Sequence, residues 1–496
     1  MNIKKIRDNL QVVEPEDELK IPIKFHVSDD LMPDQKTIDQ LLAVGKEPNI
    51  FHHISALSDV HHKKGRKNPS GTVVAVKNHF LPQLIDTAPN CGMRLIKTPF
   101  DSENFSEEKI DKLFQALVET VPTKAYVGNY LPFQTIVDIS RRGSVALLEY
   151  FNKDTGEIEN TMNQGSMFEN EIPDEKELFS AIPKLFFQAG QFRLGILGAA
   201  GNHFLDLMKI DEILDDTIAQ KWGVKKNQYL FMIHTGSGLF GQYASYFYTP
   251  KIKEHFSQRL MLKIGQNSFP EKKSAWFQKL KNDLKEYKNK PDFYQISADS
   301  EIGKKFFLAH RASANHGFAN RAMIQINIEK TIEKVLGEKL VLPLVYDMTH
   351  ISVTKEKYFG EEVFVHRNNT TRAWGPNKMK GTKLYEETGE PVFLPSSMST
   401  PAYLGAALDG NEETFSSSAH GTGRSKTATS EVPKDKKALL KKMADRKVRL
   451  YNAASAGVIQ QDASSYKDVE KALQGIQENG IMKPVAKIMP VAVLMY

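Results

Sequence analysis

Gln228-Tyr-Leu-Phe-Met-Ile-His-Thr-Gly-Ser-Gly-Leu-Phe-Gly241 supports two readings that lead to different folds. Its apolar first half predicts a buried strand over residues 228–233. The second half, Gly236-Ser-Gly-Leu-Phe-Gly241, matches the G-x-G-x-x-G pattern by which a parallel, doubly wound sheet cradles a dinucleotide, and would make the chain a nucleotide-dependent oxidoreductase. Against it, Gln242-Tyr-Ala-Ser-Tyr-Phe-Tyr-Thr-Pro250 soon meets a proline, and no clear βαβ unit with a ribose-binding acid follows. The other reading is a strand that delivers one imidazole, His234, into a glycine-rich turn.

That design recurs. Residues 192–197 read as a strand running into Gly198-Ala-Ala-Gly-Asn-His-Phe-Leu-Asp206, and residues 339–346 as one delivering Asp347-Met-Thr-His350. Residues 362–365 end in His366-Arg-Asn-Asn-Thr-Thr-Arg372, whose two arginines suit phosphate. Singly, each histidine is more often a hydrogen-bonded structural residue than a ligand. Together, His203, His234 and His350 all end apolar strands, and Asp86-Thr-Ala-Pro-Asn-Cys-Gly-Met-Arg94 adds a carboxylate and the only cysteine. A lone cysteine is usually a small buried hydrophobe; in this polar loop a thiolate ligand is the competing reading. Such donors suit a borderline-soft divalent ion, zinc or manganese.

Phe415-Ser-Ser-Ser-Ala-His-Gly-Thr-Gly-Arg-Ser425 sets one imidazole, His420, among hydroxyls and glycines, with Arg424 beyond. Glycines let the backbone approach an anion, arginine holds phosphate bidentately, and neutral imidazole can attack phosphorus. The same composition, continued over residues 425–436, also describes a polar linker, and on this stretch alone the linker is favoured.

The chain has 496 residues, 41% hydrophobic and 25% charged, with formal net charge +6, as expected of a globular protein with a mildly basic surface. One cysteine excludes an internal disulfide and fits a reducing compartment. No apolar leader or bilayer-length run is present, so a cytoplasmic protein without membrane contact is expected. Residues 1–56 read as an N-terminal embellishment, with a strand at 19–25 and a helix at 36–44. Asp59 to Gly71 reads as a polar loop, 72–76 as a strand, 106–121 as a helix, 144–151 as a strand, 173–190 as one helix and 251–335 as a mainly helical insertion. No Walker A motif occurs.

Asp59-Val-His61, Asn90-Cys-Gly-Met-Arg94, Gly201-Asn-His-Phe204, His234-Thr-Gly-Ser-Gly238, Asp347-Met-Thr-His350, His366-Arg367, Thr371-Arg-Ala373, Pro395-Ser-Ser-Met398, Ala419-His-Gly-Thr-Gly-Arg424 and Tyr466-Lys-Asp-Val469 stand in the order found in the RtcB family of RNA-splicing ligases. From about residue 57 onward the chain resembles that family.

The resemblance implies a single α+β domain, residues 57–496, with mixed sheets around a deep, metal-containing, basic cleft. It implies manganese ligands at Cys91, His203, His234 and His350, with Asp86 as substitute where Ala88 replaces an expected aspartate. Asn202, Phe204, Asp206, Ser397, Arg424 and Tyr466 fall at nucleotide contacts, and His420 at the histidine that takes GMP from GTP. One or two manganese ions, GTP, and RNA with 3′-phosphate and 5′-hydroxyl ends are then expected. The chain departs from the family at Asn368 and Met495, where lysines are usual, at Asp206 for glutamate, and at Ala402 for serine. A same-fold protein that binds RNA ends without joining them is the alternative.

Overall fold

The structure is a computed structural model and describes residues 3–123, 128–169, 171–198, 202–250, 256–425, 435–452 and 457–495. Most of the expected linker, 426–434, lies outside the described residues.

The all-buried run Gln228–Thr235 forms the expected strand, and its neighbours decide the fold. It lies between Gly92–Asp101 and Phe204–Ile213 and is antiparallel to both. The parallel βαβ crossover of a dinucleotide fold is therefore absent here, although a helix, Gly238–Tyr248, does follow the glycine turn. Around this pair an eight-stranded sheet runs in the order Leu344–Thr349, Gly92–Asp101, Gln228–Thr235, Phe204–Ile213, Met482–Met495, Ala402–Ala407, Pro391–Leu394, with Arg449–Tyr451 beside the long terminal strand. A seven-stranded sheet joins Ile3–Arg7, Leu10–Val13, Ile23–Phe25, Ile50–His61, Ser70–Val76, Glu361–Asn368 and Ile351–Tyr358. Parallel pairs occur in both sheets, so the fold is α+β with mixed sheets. The chain steps from one sheet to the other at a single residue, His350, between Leu344–Thr349 and Ile351–Tyr358.

The 36-residue helix Glu301–Leu336 starts at Ser300, whose hydroxyl accepts from Gly303 N, and ends at Gly337 with φ 71°. It is buried along most of its length and packs against Gly238–Tyr248, Glu107–Thr120 and Phe133–Arg142, so this part of the 251–335 segment lies in the core. The boundary expected at residue 56 falls inside Ile50–His61, and the strands before it extend the second sheet.

Several local expectations are corrected. Residues 144–151 form a helix, Ser144–Tyr150, because Gly143 at φ 65° breaks the preceding helix and a new apolar face, Ala146, Leu147 and Leu148, packs inward. The single helix over 173–190 is two, Glu175–Ala181 and Lys184–Gly190, split where Pro183 cannot continue the first. Residues 192–197 make one isolated bridge, Asn129 to Leu194; the strand begins later, at Phe204, so His203 precedes a strand. Asp59, Val60 and His61 end the strand Ile50–His61 and do not lie in the loop.

Candidate active site

Strand register builds a floor. Phe204 pairs with His234 on one side and Met495 on the other, Asp206 with Met232 and Val493, and Met208 with Pro490. Side chains alternate across a sheet, so these residues share one face. With Asn202, Ser397, His420, Arg424 and Tyr466, all of these except Val493 line a cavity of about 280 Å³.

At the His234 end lies a cluster of donors. Cys91 Sγ is 3.3 Å from His203 Nε2 and 3.5 Å from His234 Nε2, and His234 Nε2 is 3.0 Å from His350 Nε2. The donor atoms of Cys91, His234 and His350 all lie within 4.8 Å of one another; His203 reaches the thiol but falls outside that mutually close set. Backbone carbonyls fix the tautomers, since Nδ1–H of His203 donates to Leu197 O and that of His234 to Asn202 O, both at 2.8 Å. Their Nε2 lone pairs are thereby freed for a cation, the arrangement usual for metal-bound imidazoles. His350 Nδ1 is buried without a hydrogen-bond partner. Burial lowers the His203 imidazole to about 4 and holds His234 and His350 well below the usual range, while it pushes the Cys91 thiol up to about 12. Neutral imidazoles with one thiol that a cation can deprotonate fit a divalent ion of borderline softness.

One side chain rivets the cluster together. Arg321, fully buried in the long helix, donates to Thr235 O, to Asn90 O and Oδ1, and to Asp347 Oδ1. It thus ties the neighbours of His234 and Cys91 to the strand that delivers His350. Arg94 closes on Asp347 from the other side at 2.9 Å. Nothing in the local sequence of the long helix marks Arg321 for this role.

Asp86 is not brought to this cluster. Its carboxyl pairs with Lys63 and, at 3.1 Å, with Arg66. Burial would raise it, and the two cations overcome that and hold it at about 2. With Ala88 at the other expected position, the mutually close donor set has no carboxylate.

His420 stands against the cluster, its ring stacked on His350 with centroids 4.1 Å apart and 6.0 Å from that of His234. Its Nδ1 is 3.0 Å from Asp59 Oδ2 and 3.1 Å from Asn369 O. A carbonyl only accepts, so Nδ1 carries the hydrogen and Nε2 is left with the lone pair of a nucleophile. Burial alone would raise the Asp59 carboxyl; the His420 and His61 imidazoles beside it reverse this and keep it well below the carboxylate range. Lys467 Nζ donates to Ser58 O and Val60 O, each at 2.8 Å, fixing the backbone on both sides of Asp59. Gly71 and Gly423, at φ 74° and 78°, press against the Asp59 backbone where a Cβ would collide. Asp59 stood in a motif of the sequence but was not singled out for this role; its strand position two residues before His61 carried no separate signal.

The remaining expected contacts divide. Ser397, Arg424 and Tyr466 line the cavity, with the Arg424 guanidinium 5.4 Å from the Tyr466 ring centroid and donating to Gln460 O and Gln461 Oε1. Arg367 and Arg372, expected to suit phosphate, are committed to Glu356 on the adjacent strand and to Glu390 just before the strand Pro391–Leu394. Asn368 accepts from Asp86 N and donates to Pro69 O, a structural use.

Residues 40–495 match the family model described as tRNA-splicing ligase RtcB. The chain belongs to the RtcB family. Among its relatives are the tRNA-splicing ligase RtcB of Thermococcus kodakarensis, 28% identical over 96% of this chain and 95% of that one, and its namesake from Nanoarchaeum equitans, 28% identical over 100% and 99%. The RtcB protein of Pyrococcus abyssi is 30% identical over 82% of this chain, which spans 42% of that longer protein. The RtcB motifs thus coincide with the cavity, the Cys/His cluster and the His420 pair just described.

Proposed function

We propose that this RtcB protein is an RNA ligase, in RNA repair or tRNA splicing, that joins a 3′-phosphate or 2′,3′-cyclic phosphate end to a 5′-hydroxyl end through a nucleotidyl group carried on His420. The observation that carries the reading is the orientation of His420: Nδ1–H held by Asp59 and Asn369, Nε2 free, and the ring stacked on a histidine of the donor cluster. Nε2 attacks the α-phosphorus of the nucleoside triphosphate, the bond to the β-phosphate oxygen breaks, and pyrophosphate leaves. The Asp59 carboxylate balances the positive charge that the imidazole gains. The nucleotidyl group then passes to the RNA 3′-phosphate, and the 5′-hydroxyl, losing its proton, displaces the nucleoside monophosphate. A divalent ion held by Cys91, His234 and His350, with His203 beside them, would neutralise phosphoryl charge and align the attack. GTP and manganese are the nucleotide and ion that the family resemblance brings, and the cytoplasm is the compartment that suits the single thiol.

The test incubates the protein with Mn²⁺ and α-labelled GTP or ATP. An acid-labile label that vanishes in His420→Ala supports the reading; no label with either nucleotide overturns it. A second reading, RNA-end binding without joining, is favoured by the engagement of Asp86 with Lys63 and Arg66. Tight binding to 3′-phosphate RNA without label would select it.

A further inference from the structure

Asp59 holds two imidazoles. Its Oδ2 lies 3.0 Å from Nδ1 of His420, while Nδ1 of His61 lies 2.6 Å from the Asp59 main-chain oxygen and 3.5 Å from Oδ1. A carbonyl only accepts, so His61 too carries its ring hydrogen on Nδ1 and keeps a lone pair on Nε2. His61 closes the strand Ile50–His61, paired with Ser70, and its half-buried ring lines the same cavity as His420. One residue thus fixes the same tautomer in both rings and leaves the far edge of each, Nε2, for the cavity.

The joining step has a proton to place, because the 5′-hydroxyl must lose it as its oxygen bonds to phosphorus. Other titratable side chains on the cavity wall are committed. Lys63 pairs with Asp86, and Arg424 donates to Gln460 O and Gln461 Oε1. Tyr466 donates to Gln461, and burial raises its phenol further. The Nε2 lone pair of His234 faces the donor cluster. Asp206 stands roughly 7 Å farther along the floor than the His234 row, and its burial without a cation disfavours the ionised form that a base requires. Among the described residues that line the cavity, His61 is left.

We propose that His61 is the general base of the joining step. Its Nε2 takes the proton of the RNA 5′-hydroxyl while that oxygen bonds to the phosphorus of the activated 3′-phosphate. The bond from that phosphorus to the bridging oxygen breaks, and the nucleoside monophosphate leaves with the electron pair. The imidazolium formed at His61 stands beside the Asp59 carboxylate, so one carboxylate balances His420 in the first step and His61 in the last. This rests on the reading that His420 passes a nucleotide to the RNA end.

The test gives the full chain, with Mn²⁺, 5′-hydroxyl RNA and an RNA already carrying guanosine through a 3′-diphosphate link, which separates joining from the labelling of His420. His61→Ala is expected to join this RNA about 10²- to 10⁴-fold more slowly than wild type, with a loss in His420 labelling at least about tenfold smaller. Substituted imidazoles added to His61→Ala restore joining, and the more basic imidazoles restore more of it. Joining within about threefold of wild type, or equal losses in joining and labelling with no rescue, overturns the assignment of the base and leaves the ligase reading standing. A wild-type protein that neither labels His420 nor joins the preformed RNA overturns both.

Discussion

Replacing Asp59 by asparagine changes one hydrogen-bond direction at the nucleophile. In the wild type, Nδ1–H of His420 has two acceptors, Asp59 Oδ2 at 3.0 Å and Asn369 O at 3.1 Å. An asparagine can turn its NH₂ toward Nδ1, which then must accept, and the ring proton moves to Nε2, the nitrogen that should attack. The charge opposite the developing imidazolium is lost as well. Loss of an orienting carboxylate beside a catalytic histidine costs about two to four decades in rate. Here the Asn369 carbonyl remains and still favours Nδ1–H, so the lower end applies: about 10²-fold, or ~2.7 kcal/mol. The assay is the single-turnover rate of labelling of His420 by α-labelled nucleotide. The thermal transition is a control, because the Ser70 hydroxyl, 3.2 Å from Asp59 Oδ2, can accept from an amide NH₂ at that position as readily as it now donates to the carboxylate. Asp59 is held well below the carboxylate range, so it stays ionised above about pH 5 and the wild-type rate should show no inflection from it. A labelling rate within about threefold of wild type would refute the assignment of Nε2 as the attacking atom.

Gly423→Ala should slow labelling too, since φ is 78° and the new Cβ would lie 2.7 Å from Asp59 Cα, displacing the carboxyl from His420; a normal rate would contradict that. Asp347→Asn leaves Arg94 and Arg321 buried without their shared carboxylate and should cost about 3–5 kcal/mol by denaturant titration. Cys91→Ala should lower divalent-ion affinity at least tenfold in a metal-binding titration, with the fold retained by circular dichroism. Acid should destabilise the chain at three histidines away from the cluster. Burial lowers His310 and His316 to about 3 and His366 to about 4, so between pH 6.5 and 4 the unfolded chain binds protons that the folded one refuses. Stability is present above pH 6.5 and falls as pH drops through that window, by about 1.4 kcal/mol per histidine between pH 7.5 and 5.5. Equal thermal transitions at those two values would show that these residues titrate normally.

What the sequence revealed depended on range. His234 was legible because eight consecutive residues both form a buried strand and end in a turn; the hydroxyls and glycines around His420 read equally as a linker, and only the ordered motifs of the resemblance singled it out. The helix Ser144–Tyr150 was misread because a short apolar run has no decisive period until its packing partner is known. Asp86 was placed among the ligands on proximity to Cys91. Its actual partners, Lys63 and Arg66, come from the connection between Ile50–His61 and Ser70–Val76, which sequence spacing does not reveal. Arg367 and Arg372 looked free for phosphate because Glu356 and Glu390, which bind them, lie 11 and 18 residues away in sequence. The methionine-lined floor of the cavity was invisible until register put His234 and Met232 beside Phe204 and Asp206.

The most direct test of the central claim is a peptide map of protein labelled with α-³²P nucleotide in the presence of Mn²⁺. The account predicts a single labelled peptide containing residues 415–425, with the phosphate on His420 and the label lost in acid. Label on any other residue, or full labelling of His420→Ala, would contradict it.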